Sequence, residues 1–373
     1  MYKKKQIKKK YVKQAAPSIT EWISQIQTPH SNVFLQEDNY KYERLSLVHD
    51  IINLPFTRPF NLTVDDINNR SPLFRQASQK QGKKNCILRL TPKISTLPKL
   101  RRKGGPLKDK LRWFEKQKID PNLYTAQIVP RCPNLKWASI FIVDDKHIWG
   151  EITRGGLRQL IQGKYKKRPL IFSVEASKWY FSKKKHTEEE IILKQALSKI
   201  RVNDVRKRRL LKQKLNTSFN SDRYMKGYFE FTVWPKEGIK YTDYNRYQSI
   251  TFKDFNILNN IKKTQRELNG LCANGGQAIG VVRVVKTPHD TEFNFNDILV
   301  CKMITLEYLP LMEKAGGIIT EEGTILCHAA LIVRELGKPC IMQVRDATKK
   351  LKTGNVIQMN ASKGIIEILP KYN

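Results

Sequence analysis

The sequence predicts an α/β protein in two parts, and three observations carry that prediction. From about Gly270 onward the chain breaks into short Val/Ile-rich runs with regular turns, the pattern of strands in a small sheet. Upstream, two pairs of alternating apolar segments fold back at tight polar turns and read as hairpins. Between those hairpins lies a long, strongly charged segment with helical character. At 373 residues the chain is long enough for two or three domains, each with its own core. Its 40% hydrophobic content, with aromatics along the whole length, excludes a chain that stays unfolded.

Taken in order, residues 1–65 comprise a basic tail, expected to be disordered, and a packed extension with the amphipathic stretch ITEWISQIQ. Residues 86–100 read as a strand running into a proline-containing loop. Gly104, Gly105 and Pro106 end one element, and 107–117 shows helical spacing through Leu107, Leu111 and Phe114. Residues 137–143 and 148–152 form the first hairpin around Asp144-Asp145-Lys146. A short helix follows Gly155-Gly156. Residues 187–215 open with a Thr187 to Glu190 capping-box pattern and read as one long helix. Residues 228–234 and 239–241 form the second hairpin, and 251–269 reads as a linker.

The formal net charge of +35 would draw polyanions such as nucleic acids or nucleotides to the surface. Seven lysines fall in the first thirteen residues, and further clusters lie at Lys183 to Lys185 and between Arg206 and Lys212. Lysine filling solvent positions throughout explains the same charge without a partner, and no zinc finger, RNP-type aromatic motif or GXXG clamp is present. No apolar run approaches the roughly 20 residues that span a bilayer, and the basic start is followed by sequence too polar for an export signal. Six scattered cysteines without a CxxC pair suit reduced thiols, so a cytoplasmic location is expected.

In the C-terminal part, 315–320 reads as a strand, 321–327 as a glycine-containing loop, and 329–336 as a helix closed by Gly337 and Pro339. His328 stands where this helix begins. Unpaired backbone N–H groups and the positive end of the dipole gather there, and a phosphate on the imidazole would be stabilised. Neutral imidazole is a nucleophile near pH 7. A histidine at a helix start also serves as a cap or a packing residue, and position alone does not choose between these.

The segment AGGIITEEGTILCHAALIVRELGKPCIMQV, with DILVCKMIT before it and LKTGNVIQMNASKGIIEIL after it, resembles the mobile phosphohistidine domain of the phosphoenolpyruvate-utilising enzymes, such as phosphoenolpyruvate synthase and pyruvate phosphate dikinase. The resemblance covers about 100 residues, 270–369. It implies a β/β/α swivelling domain over 270–373 with His328 as phosphoryl carrier and Thr320 and Arg334 as supporting residues. Where that family has glycine and threonine close before the histidine, this chain has Thr324 and Leu326. The family's phosphoenolpyruvate-binding barrel is expected to be absent, since the sequence stops at Asn373.

Residues 66–250 resemble, more weakly, the ATP-grasp region that precedes the swivelling domain in those enzymes. The stretch from Gly150-Glu151 to Gly163 resembles GLGE…VxG, and YFEF with GIKY resembles the DIEWA…LYILQ pair. The family's lysine-bearing glycine loop is missing, and the region reads as a reduced ATP-grasp-like module. The resemblance implies ATP and Mg²⁺ as cofactors, with Glu230 and Asp243 on the metal and Glu151, Arg89, Lys93, Lys99 and Arg101 toward the nucleotide; carboxylates hold Mg²⁺ and cations offset phosphate charge. A glutamate alternating in a strand is equally a solvent-facing position. Two functions stay open, besides a subunit that supplies only the His328 carrier to a separate enzyme and binds no ATP itself. One is a phosphotransferase passing a phosphoryl group, from ATP, to an unknown small-molecule or protein acceptor. The other is a non-catalytic scaffold that keeps the swivelling fold and binds RNA or an acidic partner on a basic surface.

Overall fold

In the computed structural model the described residues are 19–26, 31–94, 97–247, 268–289 and 292–370. The basic tail and most of the expected linker lie outside them. Three helices begin the chain: α1 (Ile19–Ile26), α2 (Ser31–Asn39) and α3 (Lys41–Ile52). The amphipathic stretch is helical over Ile19–Ile26, and α2 and α3 follow it within the expected extension. Trp22 and Ile23 of α1 are buried in a cluster with Ala330 and Val333 near the other end of the chain.

Next come β1 (Phe60–Thr63), α4 (Val64–Asn68), α5 (Pro72–Gln81), β2 (Cys86–Pro92), β3 (Leu100–Arg102), α6 (Leu107–Gln117) and β4 (Tyr124–Pro130). Local chemistry fixes the helix starts. Thr63 and Asp66 form a reciprocal capping box, and Ser71 caps α5 ahead of Pro72 at its first turn. The strands make an antiparallel sheet in the order β1-β4-β2-β3.

The second sheet holds β5 (Trp137–Val143), β6 (His147–Arg154), β7 (Leu170–Glu175), β8 (Lys178–Phe181), β9 (Gly227–Trp234) and β10 (Gly238–Asn245) in the antiparallel order β10-β9-β5-β6-β7-β8. Both expected hairpins are here. A short helix α7 (Arg158–Gln162) follows β6. The expected long helix is two helices, α8 (Thr187–Ile200) and α9 (Val205–Leu215). Arg201 turns extended, Val202 is buried, and Asp204 caps α9 by accepting from the Arg206 and Lys207 amides. The Thr187 to Glu190 capping box does not form, because His186 occupies the cap position without a side-chain bond. Alternation along these strands separates two faces. Phe141, Phe172, Phe229 and Phe231 face α3, α8 and α9 in one core, and Ile140, Ile142, Trp149 and Tyr228 face the C-terminal domain.

That domain contains β11 (Leu271–Asn274), β12 (Gln277–Val284), β13 (Ile298–Cys301), α10 (Leu309–Lys314), β14 (Gly317–Thr320), α11 (His328–Glu335), β15 (Cys340–Met342), α12 (Ala347–Lys350), β16 (Val356–Asn360) and β17 (Ile365–Ile368). A 3-10 turn, Leu306–Tyr308, leads into α10. The sheet order is β11-β15-β14-β13-β12-β16-β17. Its centre is parallel, from β12 through β13 and β14 to β15, with antiparallel pairs at both edges. The α/β class follows the sequence expectation.

Candidate functional site

His328 is the first residue of α11, directly after the cap residue Cys327, whose Sγ accepts the Ala330 amide at 3.4 Å. Gly337 ends the helix at a φ of 64°, as the left-handed position after a helix requires. His328 itself is half-buried, at the edge of an otherwise buried loop, 323–327.

This loop is docked on the second sheet. The Leu326 amide donates to Glu151 Oε2 at 3.2 Å, and Thr324 Oγ1 donates to the Leu160 carbonyl of α7 at 2.8 Å. Ile325, Leu326 and Leu331 pack with Ile140, Ile142, Trp149 and Tyr228. Gly163 approaches so closely that a Cβ there would meet Gly323 Cα at 2.7 Å. Arg168 adds a bond to the Gln343 carbonyl at 3.2 Å.

The sheet face under the loop carries a row of carboxylates. Ile140 on β5 pairs with Glu151 on β6 and with Glu230 on β9, and Glu230 pairs with Asp243 on β10. Directly opposed residues share a face, so Glu151, Glu230 and Asp243 point the same way. Burial pushes Glu151 up to about 7, against the opposing pull of the Leu326 and Ile325 amides and of Arg334. Burial, then the Asp243 charge, pushes Glu230 up to about 7. The Tyr228 hydroxyl donates to Glu230 at 2.8 Å, and Tyr228 packs with Ile325 and Leu326 of the loop. The loop before His328 and the acidic row therefore meet at Tyr228.

Cations stand opposite. Lys41 reaches Asp243 at 3.2 Å and Asp38 at 3.9 Å. Lys99 is bonded to Asp38, and Arg89 donates to the Asp38 backbone carbonyl and lies 5.2 Å over the Tyr42 ring. Burial alone would raise Asp38, yet Lys99, Lys41 and Arg89 hold it well below the usual carboxylate range. Burial pushes Lys99 down to about 7, even with Asp38 beside it, and the Arg89 and Lys41 charges add to this. The two partners pull in opposite senses. We read the pair as charged, because three cations surround one carboxylate. Desolvation, then Arg101, Arg131, Lys41 and Arg158, push Lys103 down to about 7. Several positive side chains thus crowd one place.

Four buried polar atoms on the acidic row and on the cations facing it lack a hydrogen bond among the described residues: Arg89 Nη1, Arg131 Nε, Asp243 Oδ1 and Glu151 Oε1. Native interiors leave few such groups, so a cluster of donors and acceptors at one place points to a ligand. The pair Glu230 and Asp243 fits Mg²⁺, which takes one or two carboxylates and completes its shell with phosphates and water. Among the described residues no group of three or more His, Cys, Asp or Glu is arranged to enclose an ion alone.

The structure brings together Glu151, Glu230, Asp243, Arg89, Lys99 and Arg101 of the residues the sequence singled out. Lys93 is elsewhere, exposed and donating to the Pro121 carbonyl at 3.1 Å. Thr320 is buried at the end of β14 and donates to the Glu322 carbonyl at 2.6 Å, bracing the loop. Arg334 follows His328 by six residues, about 120° round the helix at 3.6 residues per turn, and is buried beside Cys272, Cys327, Cys340 and Glu151. Burial pushes its guanidinium down to about 10. Sequence reasoning missed Asp38, Lys41, Arg131 and Tyr228. Asp38 stands in the acidic QEDN run of a basic chain and could have drawn notice; the others gave no signal.

Comparison with known proteins bears on the C-terminal part. Residues 293–364 match the family described as PEP-utilising enzyme, mobile domain. A probable phosphoenolpyruvate synthase of Methanothermobacter thermautotrophicus is 37% identical over 107 residues, 28% of this chain and 16% of that protein. An uncharacterized phosphotransferase of Bacillus subtilis, YvkC, is 35% identical over 116 residues, 31% and 14% of the two chains. The phosphoenolpyruvate synthase of Aeropyrum pernix is 38% identical over 101 residues, 26% and 12%. The chain thus spans about a sixth or less of the length of these relatives. Among solved structures, N5-carboxyaminoimidazole synthase from Aspergillus clavatus with ADP aligns over 55% of this chain and 43% of that one, at 11% identity and a TM-score of 0.29, a likeness that carries no argument. No helix among the described residues is long and apolar enough to cross a membrane.

Proposed function

From a C-terminal segment of the phosphoenolpyruvate-utilising mobile-domain family, we propose that the protein is a phosphotransferase in which His328 carries a phosphoryl group from ATP to an acceptor. The observation that supports this best is the docking of the histidine loop over the row of Glu151, Glu230 and Asp243, facing the cations around Asp38. In this reading 66–250 is a reduced ATP-grasp-like nucleotide region and 270–373 is the carrier domain, and the docked loop corresponds to its loading position.

Arg89, Arg101, Lys103 and Arg131 take up the phosphates, and Lys99 and Lys41 offset their charge from the Asp38 side. Glu230 and Asp243 would hold Mg²⁺, which when bound would supply Lewis-acid neutralisation of phosphate charge. The His328 nitrogen lone pair attacks the γ-phosphorus, the bond from phosphorus to the bridging oxygen breaks, and ADP leaves with that electron pair. The phosphorylated imidazolium then loses its remaining ring proton to water. The helix N-terminus stabilises the new anion. Thr320 and Arg334 act on the loop and the cap, holding His328 in position. Loading places negative charge close to Glu151, and this charge favours release of the domain toward the acceptor.

The test is incubation of the full chain with γ-labelled ATP and Mg²⁺. Acid-labile, base-stable label is expected on the wild type and on none of the His328→Ala protein; Glu230→Gln is expected to lower the loading rate. Label that is indifferent to His328 overturns the proposal, and label gained only from phosphoenolpyruvate replaces the donor.

A further inference from the structure

A second cluster lies on the far side of the second sheet, away from the histidine loop. Strand β8 is the outer strand of that sheet. Its register with β7, Phe181 opposite Phe172 and Trp179 opposite Val174, puts Trp179 and Phe181 on the face covered by α8. Their rings form a column. Phe172 and Trp179 stand 6.3 Å apart, Trp179 and Phe181 5.7 Å, and Phe181 and His186 3.8 Å, all within 28° of parallel. Phe172 closes the buried end, while Trp179, Phe181 and His186 are only half-buried.

Two cavities flank this column and share Trp179. One, of about 440 Å³, is lined by Phe181, Lys183, Lys184, His186 and Glu190. The other, of about 210 Å³, is lined by Lys146, Lys194, Arg201, Asp222 and Tyr224. Lys194 Nζ lies 5.8 Å over the Trp179 ring, and the Arg201 guanidinium 5.5 Å over Tyr224. Glu190 is the acid nearest the column, and it is committed to Lys194 at 2.7 Å and His186 at 3.5 Å. The β7–β8 turn at the second cavity sets Ala176 and Ser177 both at positive φ, 45° and 65°. Asn and Gly relieve that strain in most such turns, and neither is present here; strain of this kind gathers at functional positions.

We propose that this groove binds single-stranded nucleic acid, with bases stacking against the Trp179–Phe181–His186 column and phosphates meeting the lysines and arginines on both sides. Aromatic faces interleaved with cations are what unpaired bases on a polyanionic backbone require. A duplex hides its base faces from such a column. The overall charge of +35 supplies the long-range attraction, and among the side chains that line the two cavities Lys146, Lys183, Lys184, Lys194 and Arg201 outnumber the acids Glu190 and Asp222. None of these residues belongs to the phosphoryl-transfer site, so the inference stands apart from that reading.

The experiment is fluorescence anisotropy of the full chain with labelled oligouridine, oligothymidine, duplex RNA and inorganic polyphosphate across a salt series. Single strands are expected to bind more tightly than the duplex. Trp179→Ala is expected to weaken them at least fivefold, the lower end for loss of one base stack, about 1 kcal/mol, and Trp179→Phe to hold within about twofold. Lys183→Ala with Lys184→Ala is expected to flatten the salt dependence. A preference between the two oligomers names the natural ligand as RNA or DNA. If Trp179→Ala loses its far-UV circular dichroism, His186→Ala takes its place, with the same expected weakening. Absence of binding, preference for the duplex, or polyphosphate binding equal to the single strands and unmoved by Trp179→Ala or His186→Ala each overturns the proposal.

Discussion

Replacing Glu151 by glutamine isolates the energetic peculiarity of the docking contact. The side chain is fully buried, and its amide oxygen can still accept from the Leu326 amide that now meets Oε2 at 3.2 Å. What the substitution removes is ionisation. Burial moves the carboxyl from 4.5 to about 7. Between those values the native state holds a proton that the unfolded chain has released, and stability therefore falls as pH rises through this window. At about 1.4 kcal/mol per pH unit the loss is on the order of 3 kcal/mol above pH 7. Glutamine carries no such loss. Thermal unfolding of both proteins, followed from pH 4.5 to 8.5, is expected to show near-equal midpoints at the acid end and a higher midpoint for Glu151→Gln at pH 8. Glu230, also pushed to about 7, contributes to both proteins and cancels in the difference. A Glu151→Gln protein less stable than wild type at pH 8 refutes the reasoning, because attraction between ionised Glu151 and Arg334 would then outweigh burial.

Other variants probe the docking and the acidic row. Gly163→Ala sets a Cβ 2.7 Å from Gly323 Cα at a φ of 69°; it is expected to cost about 1–3 kcal/mol and to lower His328 loading while nucleotide still raises the melting temperature. Leu326→Ala empties a fully buried position in the cluster between sheet and loop, with an expected cost of about 2–5 kcal/mol, measured by urea denaturation. Asp243→Asn relieves the charge that raises Glu230 and removes one carboxylate from the metal pair. The Mg²⁺ needed for half-maximal stabilisation by ATP is expected to rise about tenfold, read by thermal shift in a Mg²⁺ titration.

Much of the C-terminal domain was legible because its signals are local. The glycine turns, the loop of 321–327 and the Gly337–Pro339 exit each act within a few residues, and the strands and α11 lie where those signals put them. The split between α8 and α9 was hidden, since Val202 and Asn203 carry no breaker and only burial of Val202 and the Asp204 cap decide it. The site was legible in its carboxylates and illegible in their partners. Glu151 meets Leu326 across 175 positions and Lys41 meets Asp243 across 202. No periodicity reports contacts of that range. Lys41 is three residues from Asp38, but Lys99 and Arg89 reach it only because α2 lies beside β2 and the start of β3 in the fold.

The central claim is that His328 carries the phosphoryl group, and peptide mapping by mass spectrometry at neutral to basic pH tests it most directly. After incubation with ATP and Mg²⁺, a phosphoryl adduct is expected on the peptide containing His328, lost on brief acid treatment and absent from His328→Ala. An adduct on another residue, or none with either ATP or phosphoenolpyruvate, contradicts the account.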